Sequence, residues 1–201
     1  SLHVPLTKTG EHPTYHLLDA ERLAKFKKEQ ILINACRGDV IDNQALLLLK
    51  QQQLGPKLVL DVWENEPNIL VPLVEFADIA TAHIAGYSLE GKARGTEMLY
   101  QALCKQLKIK AELKLSAFLP QSQIGLIEIS SVLDQNLLNP LVKMVYDVRR
   151  DDAIFRQQIT VQGFDHIRKT YPARREFSAV KVTMPTSIDN YAVYQLGFQQ
   201  Q

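Results

Sequence analysis

An arginine, several carboxylates and a histidine stand at the ends of three short apolar runs, and together they could do acid/base work on an acidic substrate. The runs are Ile31-Leu-Ile-Asn-Ala-Cys-Arg37-Gly38, Leu60-Asp61-Val-Trp-Glu-Asn-Glu66-Pro67 and Thr81-Ala-His83-Ile-Ala-Gly86-Tyr87. Arg37 offers a rigid fork of donors that matches a carboxylate or phosphate bidentately. It could instead form an ion pair with Asp39 or Asp42 at the start of the next helix. Histidine both gives and takes a proton near neutral pH, and an adjacent carboxylate favours its imidazolium and sets its tautomer. Glu64 and Glu66 are both candidates to hold His83, and Pro67 stiffens the chain beside Glu66. Asp61 closes an apolar run, where an unpaired carboxylate is costly. It needs donors, from a bound amide or from a backbone turn. Cys36 has no basic partner beyond Arg37 and reads as a small buried residue.

Short strands joined by helices must position these groups. Ile31 to Ala35, Leu58 to Val62 and Asp78 to Ala82 read as strands, the first apolar throughout as if both sheet faces were covered. Asp19 is a candidate cap for a helix running to Lys27 and Lys28, and Asp42 for one reaching Gln53 before Gly55-Pro56. Ser88 caps a longer helix to Leu107, in which Gly91 and Gly95 suit close packing. Alternating strands and helices with short links imply a parallel α/β sheet, and ligands bind outside the carboxyl ends of such strands.

Beyond Leu107 the pattern changes. Leu2–Val4 is a strand stub at the other end of the chain, whereas Ile124 to Ile129 is a further strand in the tail. Asn139-Pro140 suggests a cap and first residue for a helix to Arg149. Asp165 is a cap candidate, Val180, Val182 and Met184 alternate as a strand, Thr186 caps a last helix, and Gln199–Gln201 reads as a frayed end. The divisions expected are 1–87, 88–118 and 119–201.

The three strand ends together resemble the D-2-hydroxyacid dehydrogenase family. Its I-N-x-x-R-G-x-x-(V/I)-D, D-V-x-x-x-E-P and H-I-(A/G)-G patterns are met by Asn34, Arg37, Gly38, Ile41, Asp42, Asp61, Val62, Glu66, Pro67, His83 and Gly86. The resemblance implies the second half of a Rossmann-type doubly wound parallel sheet, followed by a small α+β C-terminal dimerisation domain. The tail pieces Val145-Tyr-Asp-Val-Arg-Arg-Asp-Asp-Ala153 and Arg174-Arg-Glu-Phe-Ser178 resemble such a domain in one branch of the family. It further implies NAD as cofactor, with Val4, Asp61 and Gly86 beside it and Asp61 receiving the carboxamide. His83 would be the base, Glu66 its partner and Arg37 the clamp on the substrate carboxylate. Tyr87 would touch the substrate near its phosphate end, in a small phosphorylated 2-hydroxy acid. The family also includes oxidants of phosphoglycerate or simple 2-hydroxy acids, and NAD-sensing corepressors that bind other proteins.

Composition restricts the alternatives. The 201 residues carry a formal net charge of +1, which points to neither nucleic acid nor a membrane surface. No apolar run approaches the roughly 20 residues of a membrane span. Two cysteines do not make a disulfide framework and fit a reducing cytoplasm. There is no G-x-G pair, P-loop, zinc-ligand spacing or serine elbow. The opening Ser1-Leu-His-Val-Pro reads as mid-domain, so the expectation is half of an active site, inactive without the glycine-rich half of the cofactor site.

Overall fold

Ile31–Asn34 (β1), Lys57–Leu60 (β2) and Ile79–Ala80 (β3) pair in parallel in the order β1-β2-β3. Parallel pairing of consecutive strands needs crossovers, and Asn43–Gln51 (α2) supplies the first, with Asp42 accepting from the Ala45 amide as its cap. The second crossover is a 3-10 segment, Val71–Phe76. A computed structural model provides this description for residues 1–185 and 191–201, so the expected cap at Thr186 lies outside the described residues. The chain divides into two compact units, Ser1–Ala85 with Val148–Tyr171, and Gly86–Asp147 with Pro172–Gln201.

In the first unit, Leu32, Leu58, Leu60 and Ala80 are buried. One face of β1 is open, because Ile31 and Ile33 are 56% and 39% exposed. The strand expected to be covered on both faces therefore has cover on one. Leu2 bridges Asn34 beside β1, as the expected stub. The helix expected from Asp19 to Lys28 is a single turn, Ala20–Leu23 (α1). Its continuation is cut by a turn in which the Lys27 amide donates to the Gln30 side chain.

Val148–Gln162 (α5) and Phe164–Lys169 (α6) complete this unit, although continuity of sequence would have put them with the tail. They belong here because Phe155 packs on Trp63, with ring centroids 5.6 Å apart, and Phe164 packs edge-on to Phe155. Arg156 reinforces the seat. It donates to the Val74 and Ala77 carbonyls and to the Asp152 carboxylate, while Asp152 accepts the Ala80 amide of edge strand β3 at 2.7 Å. The carboxylate thus takes a ladder position that an absent fourth strand would otherwise fill. Arg156→Ala leaves that carboxylate without its cation and two carbonyls without a donor. We expect it to lower stability by about 2 kcal/mol, read as a lower urea midpoint at unchanged m-value.

The second unit begins with Leu89–Leu107 (α3), capped by the Ser88 hydroxyl on the Gly91 amide. Gly91 has no room for a Cβ, which would lie 2.7 Å from Ser88 Oγ, whereas at Gly95 a Cβ meets nothing within 4 Å. Glu90 is buried and paired with Arg175 at 2.6 Å, and its other oxygen accepts the Glu176 amide. Leu126–Glu128 (β4), Lys181–Thr183 (β5) and Gln199–Gln200 (β6) form a second parallel sheet in the order β4-β5-β6. The C-terminal glutamines are therefore a strand rather than a frayed end. Ile129, Leu141, Val180, Val182, Val193 and Phe198 form its core.

Gln135–Val145 (α4) starts before the Asn139-Pro140 pair because Asp134 caps it, accepting the Leu137 amide at 2.9 Å. That bond, with the Asn136 amide group, holds the Asp134 carboxyl below its ordinary range. Its support of α4 is present above the ordinary carboxylate value and fades as acid titrates the cap. Pro140 consequently sits inside the helix. Tyr191–Gln195 (α7) precedes Gly197, which adopts positive φ.

Candidate active site

Arg37, Asp61 and His83 follow β1, β2 and β3, so the parallel sheet delivers all three to its carboxyl rim. Asn34 shapes the first strand exit. Buried to 1% exposure, it donates to the Arg37 carbonyl and accepts from the Cys36 amide and thiol. The Arg37 guanidinium remains exposed and donates to the Cys36 carbonyl at 2.6 Å. Among the described residues it makes no ion pair, so the alternative bridge to Asp39 or Asp42 does not form. Cys36 is half-buried, held by Asn34.

Gly38 owes its identity to a neighbouring backbone. A Cβ there would lie 1.9 Å from the Trp63 carbonyl carbon and oxygen and 2.5 Å from the Glu64 nitrogen. The glycine allows the exits of β1 and β2 to touch.

Asp61 receives its donors from the protein. Oδ1 accepts the Thr81 hydroxyl at 2.6 Å and the Ile84 amide at 2.8 Å, and Oδ2 accepts the Ala85 amide at 3.0 Å. A carboxylate has about four acceptor positions, so roughly one remains on Oδ2 for a bound amide. The turn it organises contains His83, whose φ is +56° and whose amide donates to the Asp61 carbonyl at 2.6 Å. Left-handed backbone at a non-glycine residue is uncommon and needs such external support. Asp61→Asn should replace one acceptor by a donor facing these amides. A loss of about 2 kcal/mol in chemical denaturation is expected, with the Thr81 hydroxyl and two amides competing for one oxygen.

His83 Nδ1 meets Glu66 Oε2 at 2.8 Å, with the two side chains 32% and 19% exposed. The other Glu66 oxygen accepts the Trp63 amide at 2.9 Å, which holds the carboxylate in place. Next to an ionised Glu66, Nδ1 carries the hydrogen and Nε2 presents its lone pair outward. An imidazole held in this way by a carboxylate can accept a proton at Nε2.

Glu64 does not share in this pair. Its Oε1 lies 2.6 Å from His16 Nε2 and its Oε2 accepts the Asn43 amide at 3.1 Å. His16, Asp42 and Glu64 offer atoms within 4.8 Å of one another that could hold a cation, with the His16–Glu64 hydrogen bond already joining two of them. Sequence reading missed His16, which sits in a loop without periodicity; Tyr15 stacks on its ring with centroids 4.0 Å apart. Partial burial, and then the charges of Glu64, Asp39 and Asp42, raise the Tyr15 phenol.

Gly86 and Tyr87 open the second unit. A Cβ on Gly86 would meet nothing within 4 Å among the described residues. Lys92 Nζ sits 4.0 Å from the Tyr87 ring centroid. Val4 is half-buried in the first unit.

Residues 1–85 match the family model described as the D-isomer specific 2-hydroxyacid dehydrogenase, NAD binding domain. Residues 118–197 match a model described only as a domain of unknown function. A protein of Colwellia psychrerythraea named erythronate-4-phosphate dehydrogenase is 61% identical over 200 residues, covering 100% of this chain and 51% of that protein. Proteins of the same name from Shewanella oneidensis and Tolumonas auensis are 53% and 51% identical, each with 98% of this chain and 53% of the relative covered. The chain spans about half the length of the curated relatives it matches.

Proposed function

Because this chain belongs to the D-2-hydroxyacid dehydrogenase family, we propose that it carries the acid/base half of an erythronate-4-phosphate dehydrogenase. The whole protein would oxidise the C2 hydroxyl of 4-phospho-D-erythronate to the 2-oxo acid, a step of pyridoxine (vitamin B6) synthesis. The observation that carries this reading is the 2.8 Å contact between His83 Nδ1 and Glu66. It leaves Nε2 as the atom to take the hydroxyl proton as the C2–H bond breaks and the C=O bond forms. The positive charge gained by the ring is met by Glu66, and Glu66 is held by the Trp63 amide. Bound NAD would supply the hydride acceptor. Arg37, which forms no ion pair among the described residues, would take the substrate carboxylate and so orient C2.

The residues present fit the cofactor in part. Asp61 keeps roughly one acceptor position for a carboxamide, and the space over Gly86 is open at Cβ distance. Val4 would contribute backbone or methyl contact only. Tyr87 would contact the substrate near its phosphate. A homodimer built through the C-terminal domain and a cytoplasmic location complete the reading. Neither cysteine is in a disulfide, and no described helix is long and apolar enough to cross a membrane.

Two assays test this. The chain alone, given NAD and erythronate 4-phosphate, should form no measurable NADH, because the phosphate-cradling glycine loop is not among its motifs. Joined to the remaining half of such a protein, it should prefer erythronate 4-phosphate to 3-phosphoglycerate and D-lactate. Preference for either competitor sinks the narrower assignment.

A further inference from the structure

We propose that His16 is a positioning residue for the Glu66–His83 pair, acting through Glu64; the inference rests on the proton-relay reading above. The path is short and made of printed contacts. His16 Nε2 meets Glu64 Oε1 at 2.6 Å, and Glu64 is further bound by Asn43, whose amide donates to Oε2 and whose side-chain oxygen accepts the Glu64 amide at 3.2 Å. Glu64 is the direct neighbour of Trp63, and the Trp63 amide is the donor that holds Glu66 Oε1. Anchoring Glu64 therefore restrains the chain directly after Trp63, whose amide orients the relay carboxylate.

His16 is itself held for this task. Its backbone has φ +49°, its amide donates to the Asp39 carbonyl at 2.8 Å, and the Tyr15 ring covers one face. Residues 14–18 form a loop that contributes no regular element, so a rigid left-handed histidine within it has no use in continuing a helix or strand. The two His–Glu pairs are arranged in parallel on one loop. Glu64 reaches back to His16, and Glu66 reaches forward to His83, with the single residue Asn65 between them. Trp63 is additionally locked by its indole N–H on the Thr81 carbonyl and by contact with Gly38. Of the contacts that hold Glu64, the His16 bond is the one made by an imidazole, and Asn43 supplies the others.

The test reads the tautomer of His83 by nitrogen-15 correlation spectroscopy on this chain, with no substrate or cofactor. In the unsubstituted protein His83 should hold its hydrogen on Nδ1. His16→Phe keeps a ring for Tyr15 to stack on but removes the donor, and His83 should then shift towards the Nε2–H form. His16→Gln, whose amide can reach Glu64, should restore the Nδ1–H form. A folded His16→Phe protein with the His83 tautomer unchanged overturns the proposal, even if its Tm falls, because a merely structural role predicts that result. Should His16→Phe not fold, Asn43→Ala, which removes the oxygen accepting the Glu64 amide but leaves His16 in place, tests the same path through Glu64: a partial shift of His83 towards Nε2–H is expected, and an unchanged tautomer overturns the proposal. Where both variants fold, the Asn43→Ala shift should be the smaller, and an equal or larger one assigns the anchoring to Asn43 and overturns the proposal. An unsubstituted protein with His83 as Nε2–H defeats the relay reading itself, and this inference with it.

Discussion

Replacing His83 by alanine in a complete protein with the proposed dehydrogenase activity is expected to lower kcat/KM by about 10²–10⁴-fold, the usual contribution of a positioned general base. On that reading the loss should fall mainly on kcat, because the imidazole would take its proton in the transition state while Arg37 would still hold the substrate. Glu66→Gln should cost less, because the carboxylate would hold the ring and meet its charge without itself taking the proton. A kcat/KM left unchanged in Glu66→Gln would leave the carboxylate a structural role.

Gly38→Ala is the larger test of the scaffold. The new methyl would stand 1.9 Å from the Trp63 carbonyl carbon, and backbone atoms cannot swing aside as a flexible side chain can. The exits of β1 and β2 must separate, which strains the Asn34 turn and the Trp63–Glu66 hydrogen bond together. A loss of about 3 kcal/mol or more in chemical denaturation is expected, at the upper end of what overpacking costs, because the clash is with backbone. Gly86→Ala is the matched control, since its Cβ would meet nothing within 4 Å. Stability within about 0.5 kcal/mol of the parent is expected there, and any effect on NAD affinity would then report cofactor contact. A Gly38→Ala chain as stable as Gly86→Ala would show that the strand exits can part at little cost.

The strand ends were legible because their chemistry is compressed into short segments and their order along a parallel sheet is nearly forced. Glu66 and His83 meet as expected, and the ambiguity between Glu64 and Glu66 is resolved by the backbone: Glu66 folds back onto the Trp63 amide, and Glu64 turns the other way to His16. Asp61 needed donors, and of the two sources the sequence left open, the turn supplies three. Less was legible where the signal was weak or misleading. Helix α5 is largely polar, so hydrophobic periodicity did not mark it, and its buried anchors are Phe155 and Ile159. Asp134 outcompeted the Asn139-Pro140 pair as a cap, because a carboxylate that accepts an amide starts a helix wherever one turn can follow. The C-terminal glutamines pair as β6 through backbone groups alone, a contact that side-chain pattern cannot announce.

The seating of α5 on the first sheet has a consequence for how the protein comes to exist. The first unit is interrupted between Ala85 and Val148, so its last two helices are synthesised only after most of the second unit has left the ribosome. Until then Trp63 lacks its Phe155 neighbour and the Ala80 amide lacks its Asp152 acceptor. The sheet that carries Glu66 and His83 is therefore a late product of folding, closed by contacts of high sequence separation. A shortened chain ending at Ala85 would retain Arg37, Glu66 and His83 in sequence, yet expose the apolar surface against which their strands are set.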